Sequence, residues 1–344
     1  MKQYKLSRGP LLNKKGHLIE KGYSKHFVKV YDRNRIKSSR LKLKEWDYYL
    51  IYNDQFSIAL TVADNGYVGL GSISLMDFTD RTYKTSSRLM MLPLGKLRMP
   101  TSSSFGPVSY KHKNVTIDFK HTPNGRLLTF NMEAFKGSQP LKGEILLYDV
   151  PKESMVITVP FPKHKRQFFY NHKIVGMKAK GQLVLGDQTF DFTPEETTAI
   201  FDWGRGVWPY KNTWYWSSAS GTKDGHKIGF NLGYGFGDTR NATENMLFYD
   251  NKGHKISHVY FDVPRDATGK ADYMATWTFT SSDQRFSAQF SPCLDRQDKA
   301  SLAFMSSNQH QVFGYFTGHM ILDSGKRVEF KDLMGFAEQV TNKW

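Results

Sequence analysis

Residues 201–221 read FDWGRGVWPYKNTWYWSSASG, and residues 228–250 read IGFNLGYGFGDTRNATENMLFYD. In Thr213–Ser217 alternation sets Thr213, Tyr215 and Ser217 on one face of a strand, and Trp214 and Trp216 on the other. The same rule separates Gly229, Asn231 and Gly233 from Phe230 and Leu232. Asp224-Gly225 stands between the two runs as turn punctuation. This pattern of short alternating runs and tight turns is a β signature.

It recurs along the chain. Upstream candidate strands are Trp46–Tyr52, Phe56–Ala63, Tyr67–Leu75, Val115–Phe119, Arg126–Met132, Gly143–Tyr148 and Met155–Val159. Beyond residue 175 the series continues with Gly181–Leu185, Thr213–Ser218, Lys227–Leu232, Met246–Tyr249, His258–Val263, Tyr273–Phe279, Phe286–Phe290, Leu302–Met305, Val312–Leu322 and Arg327–Phe330. Asn65-Gly66, Asn124-Gly125 and Ser324-Gly325 are further turn signals. No amphipathic helical stretch exceeds about a dozen residues, so the spacing predicts an all-β chain of barrels or sandwiches. One short helix is expected at Thr193-Pro194-Glu195-Glu196, where a threonine cap precedes proline and a capping-box glutamate. Pro151–Lys180 is rich in Pro, Lys and His, as a connection between barrels would be. The expected division is a basic-led N-terminal barrel over 1–175 and a second barrel over 176–344, carrying the aromatic motif.

Composition narrows the class. The 344 residues are 39% hydrophobic and 15% aromatic, which supports a packed core. Mean hydropathy is −0.53, and no apolar run approaches the length of a membrane-spanning helix. The leading residues lack an apolar signal core, so a cytoplasmic location is expected. Residues 1–50 hold 14 Lys+Arg against 4 Asp+Glu, a net of +10 out of +16. That face is either a solvated surface or a contact for anionic membrane or nucleic acid. No nucleic-acid-binding motif accompanies it, so no specific nucleic acid is expected.

The aromatic segment has the composition of a lined pocket. Aromatic faces supply apolar area and stabilise cations, while a few polar groups fix orientation. Candidate ligand-binding residues are Arg205, Trp208, Tyr210, Trp214, Trp216, Asn231, Asn245 and His319. The competing reading is a packed core with Arg205 paired to Asp202. No zincin, P-loop or nucleophile-elbow motif is present. Gly233-x-Gly235-x-Gly237 lacks a following helix, His254 and His258 straddle a turn, and Cys293 is a single cysteine. Hence no cofactor and no metal are expected.

Two functions follow. One is binding of a hydrophobic or amphipathic small molecule, lipid or isoprenoid-like, in the second barrel and at the interface between barrels. The other is a hydratase- or cyclase-type enzyme that protonates an alkene with a carboxylic acid kept neutral in a dry site. Glu244 and Asp202 are the candidate acids, with Glu244 preferred because Arg205 beside Asp202 would hold that carboxyl ionised. Membrane or nucleic-acid contact through residues 1–50 is a third reading.

The run from Asp202 through Trp216 resembles the domain-of-unknown-function 2804 family. Lys44-Glu45-Trp46-Asp47-Tyr48-Tyr49, Thr243-Glu244-Asn245 and Gly335-Phe336-Ala337-Glu338 match it too, so the resemblance spans nearly the whole chain. More distantly, Asp202-Trp203-Gly204 with Trp214-x-Trp216 and Asp224-Gly225 is similar to the second domain of carotenoid hydratase-like and AttH-like proteins. That resemblance implies two lipocalin-like antiparallel β-barrels packed together. Where those proteins carry an acidic residue and a histidine after the aspartate, this chain has Trp203 and Gly204.

Overall fold

A computed structural model describes residues 2–302 and 305–343. Strands make up 63% of the chain and helix 2%. Two barrel-like antiparallel sheets account for nearly all of it. In the first, neighbouring strands run Thr82–Met91, Val68–Asp77, Phe56–Asp64, Leu43–Tyr52, Thr198–Val207, Phe168–Leu185, Gln139–Tyr148, Gly125–Lys136, Val115–Thr122 and Val108–His112. In the second, Lys211–Lys223 pairs with His226–Tyr234 on one side and Arg327–Lys343 on the other, and Met305–Ile321 follows.

Three apolar layers result. Tyr49, Phe201 and Trp203 point into the first barrel, and Phe230, Phe279 and Phe316 fill the second. Between them lies a third layer, built from the outer faces of both sheets and including Leu50, Ile200, Trp216 and Phe336. The central strands of the first sheet are therefore covered on both faces. They read as nearly continuous burial rather than alternation. For that reason the sequence reading finds no strand over 198–207, although this strand carries Asp202.

The expected division at residue 175 falls inside Phe168–Leu185, which stays in the first sheet throughout. The sheets change between Val207 and Lys211. Residue 175 marks a β-bulge instead: the pairing slips between Val175 and Met177, and Gly176 takes φ +89°. Only glycine adopts that conformation without strain, and the extra residue reverses which side chains face inward. The helix expected at Thr193 is a single hydrogen-bonded turn, with the Thr197 amide donating to Thr193 O at 3.0 Å. Five residues between Phe192 and Thr198 leave no room for more.

The basic N-terminal stretch is partly structural. Leu11, Leu12 and Tyr31 are buried in the first barrel, and the Tyr31 hydroxyl donates to Glu45 Oε1 at 2.7 Å. Arg205 also belongs to this interior, which corrects its expected role as a ligand contact and as the partner of Asp202. Three positions apart on an extended strand, the two side chains face opposite sides of the sheet. Arg205 is fully buried, donates to Asp47 Oδ1 at 2.9 Å and Trp46 O at 2.6 Å, and lies over the Trp203 ring. Arg205→Met should lower the unfolding free energy by about 3–5 kcal/mol, because it leaves Asp47 buried without its partner. Urea denaturation measures this, and a loss within the range of an exposed ion pair, about 1 kcal/mol or less, would contradict the structural assignment.

Candidate functional site

Two rows of side chains meet across the layer between the sheets. On the first sheet the register aligns Lys173, Asp202 and Tyr48 on three adjacent strands. On the second it aligns Trp216, Glu338 and Gln311. The rows touch at both ends. Lys173 Nζ lies 3.7 Å from the centre of the Trp216 ring, and Gln311 Nε2 donates to the Tyr48 hydroxyl at 3.2 Å.

Asp202 is saturated with donors. Asn171 Nδ2 donates to Oδ1 at 2.6 Å, Trp46 Nε1 donates to Oδ2 at 3.2 Å, and Lys173 Nζ sits 3.1 Å from Oδ2. This geometry requires Gly204. A Cβ there would come within 1.9 Å of the Trp46 ring, so only glycine lets the indole lie across the strand. Glu244 stands at the other side of Lys173, and its Oε2, 4.0 Å from Lys173 Nζ, accepts no hydrogen bond. Burial raises its carboxyl above the ordinary range, and neighbouring Asp202 adds to the shift while Lys173 opposes it. Gly233 makes room for it, since a Cβ there would fall 2.5 Å from Glu244 Oε1.

Glu338 carries the strongest perturbation among the carboxyls of the cluster. It is buried; Oε1 accepts from Trp214 Nε1 at 2.8 Å and Oε2 from Gln311 Nε2 at 3.2 Å. Burial pushes its pKa to about 7, against the opposing effects of the Trp214 bond, Lys173 and Arg296. Sequence reasoning quoted the Gly335–Glu338 piece without naming Glu338 or Lys173 as functional. The available signal was alternation: Met334, Phe336, Glu338 and Val340 share one face, so an acid stands in an apolar row.

The aromatic wall is continuous. Trp208 packs edge-on against Trp46 at 5.1 Å and Phe236 at 4.7 Å, and Trp214 meets Trp208 at 6.0 Å. Trp216 Nε1 donates to Asn231 Oδ1 at 2.8 Å, and Asn231 Nδ2 donates to Glu244 O at 2.8 Å. Tyr48 and Glu244 are surrounded by protein, yet part of each side chain is uncovered.

Other candidates lie apart from this cluster. Asn245 ties the backbone together, accepting from Gly233 N at 2.7 Å and donating to Ser257 O at 2.8 Å. Tyr210 is exposed on the connection between the sheets. His319 is half-buried, paired in register with Ser287 and Glu329 far along the second sheet from Gln311. Among the described residues no group of three or more His, Cys, Asp or Glu could hold a metal ion. A cavity of about 450 Å³ also opens between the sheets, lined by Tyr52, Gly176, Thr198, Ser220 and Lys331. It occupies a different stretch of the junction, beside the bulge, and does not contain the acid cluster.

The chain belongs to the family described as a domain of unknown function, DUF2804, whose model matches residues 3–344. No curated protein sequence matches it. An AttH-like protein from Nitrosomonas europaea is similar in structure, with a TM-score of 0.55 at 14% identity, covering 88% of this chain and 93% of that one. Kievitone hydratase from Nectria haematococca scores 0.47 at 12% identity, covering 92% and 96%. CghA with Sch210972 scores 0.48 at 11% identity, covering 98% and 97%. At such identities the likeness concerns the fold.

A raised carboxyl has a definite pH signature. Glu338 holds its proton in the folded chain up to about 7, whereas the unfolded group releases it near 4.5. Its contribution to stability is therefore full below pH 4.5 and is lost as pH rises through 7. Since Trp214 is bonded to Glu338, tryptophan emission should show a transition near pH 7 that Glu338→Gln removes. Fluorescence titration of both proteins checks this, and identical curves would assign the transition elsewhere.

Proposed function

We propose that the chain binds a hydrophobic or amphipathic small molecule at the junction between its two sheets. The observation that carries this reading is the partly uncovered tryptophan and tyrosine wall, Trp46, Tyr48 and Trp214, beside a compact set of buried polar groups. Apolar surface of that kind holds a ring or chain, while the half-buried Tyr48 hydroxyl and Glu244 carboxyl stand beside it for polar contact at one end. Of the two places expected from sequence this is the interface between the barrels; the interior of the second barrel is filled by its own phenylalanines and Trp277.

A second reading, proton transfer to an alkene in that molecule, is favoured by Glu338. Its carboxyl keeps a proton to about pH 7 and lies among aromatic rings. The proton would pass to one alkene carbon as the π pair forms the new C–H bond, leaving a cation and the Glu338 carboxylate. Water would then add to the cation and return a proton. The cation could not use the face of Trp216, which the Lys173 ammonium occupies; Trp208 and Trp214 are the remaining rings. Protonated Glu338 is the active form, so turnover is expected to fall as pH rises through 7.

The test is mass spectrometry of organic extracts from purified wild type, Trp214→Ala/Trp216→Ala and Glu338→Gln proteins. One lipid-like species carried by the wild type and lost from the tryptophan variant is expected. Equal recovery from both, or from neither, counts against binding at this wall. Proton transfer predicts that Glu338→Gln retains a species lacking the elements of water relative to the wild-type product. If both proteins carry the same species, the chain is a carrier.

A further inference from the structure

One rim of the first barrel has features that the junction does not use. Residues 91–98 read MLPLGKLR and leave the exposed strand Thr82–Met91. Leu92, Leu94 and Arg98 take φ of +49°, +50° and +49°, a conformation seldom adopted outside glycine. Backbone bonds hold the loop there. The Leu92 amide donates to Tyr67 O at 2.9 Å, the Leu94 amide to Gly66 O at 3.1 Å, and the Gly95 amide to Asp64 Oδ2 at 2.8 Å.

The turn at Gly66 in turn rests on the short helix Arg40–Lys42. A Cβ on Gly66 would lie 2.2 Å from Arg40 O and 3.0 Å from Leu41 Cα. The two loops thus form a single rim. On it Leu41, Met91 and Leu92 are 47%, 69% and 52% exposed. Arg40, Lys42, Lys96 and Arg98 are exposed beside them, and among the described residues none joins an ion pair. Residues 40–42, 65–67 and 91–98 contain no Asp or Glu. The adjacent Asp64 is buried, with its oxygens accepting from the amides of Gly66 and Gly95.

We propose that this rim docks on the surface of an anionic lipid bilayer. Four unpaired cations meet the negative surface potential, and the leucines and Met91 enter the boundary between headgroups and acyl chains. A nucleic acid would satisfy the cations but leave the exposed leucines in water. A bilayer satisfies both. The bonds from Leu92 and Leu94 to Tyr67 and Gly66 hold the strained loop on the same rim as the four cations.

The experiment is co-sedimentation of the full chain with phosphatidylcholine vesicles, with and without phosphatidylglycerol, at fixed salt. The wild type should partition onto the anionic vesicles and only weakly onto the neutral ones. Lys96→Glu/Arg98→Glu should reduce that partition by at least about tenfold, since each basic residue near the surface contributes roughly fivefold. Leu41→Ser/Leu92→Ser should reduce it several-fold with the charges intact. All these positions are exposed, and unchanged circular dichroism and thermal unfolding confirm that the variants fold. Failure of the wild type to sediment with anionic vesicles overturns the proposal. So does a leucine variant that partitions like the wild type. Binding of duplex DNA that depends on the charges but ignores the leucines would assign the rim to nucleic acid instead.

Discussion

The junction between the sheets is organised around one ammonium group. Lys173 Nζ is buried, 3.1 Å from Asp202, 4.0 Å from Glu244 and over the Trp216 ring. Burying an ammonium costs several kcal/mol unless its partners are close and hydrogen-bonded. Asp202 answers that cost on the first sheet, and the indole face answers it on the second. One cation therefore ties the two sheets together. Asp202, Glu244 and Glu338 share the layer with Lys173, Arg296 and Lys255, and burial drives Glu244 and Glu338 toward the protonated form against the pull of those cations.

The interior of the first barrel uses similar residues differently. Glu45 and Asp47 there face Arg205, and Arg33 reaches Glu45 at 2.8 Å. Two guanidiniums meet two carboxylates, with further donors to backbone oxygens. Such a network is compensated and holds the barrel together. The contrast separates the two halves of Asp202–Arg205: on one face of a single strand sits a structural arginine of the barrel interior, and on the other an acid bonded to the lysine of the junction. A motif that reads as one unit in sequence thus serves two sides of a sheet.

Much of the architecture was legible because antiparallel strands announce themselves locally. Trp214 against Tyr215, and Asn231 against Phe230, assign faces from alternation alone. What alternation does not reveal is which face meets which sheet. Lys173, Asp202 and Tyr48 lie on strands far apart in the chain, and only the pairing register sets them in one row. Glu338 acquires its environment from Trp214 and Gln311, which are 124 and 27 positions away. The composition of Pro151–Lys180 suggests a connection between barrels, while the strand Phe168–Leu185 runs through its second half.

Placing the chemistry between the sheets follows from how each barrel is filled. Phe230, Trp277, Phe279 and Phe316 occupy the second interior, and the first holds Tyr49, Phe201 and Trp203 together with the N-terminal leucines. Among the described residues the acids Glu45 and Asp47 of the first interior are paired with its arginines. The outer faces differ because each must serve two purposes, packing against the other sheet and keeping Gly204 and Gly233 free of side chains. Those two glycines let Trp46 and Glu244 approach the backbone, which narrows the junction and brings the acids within reach of Lys173. A Cβ at Gly204 would displace the Trp46 ring, whereas one at Gly233 would turn the Glu244 carboxyl aside. Burial in the layer between the sheets is what raises the Glu244 and Glu338 carboxyls, so the packing of the fold and the acidity of its site have one cause.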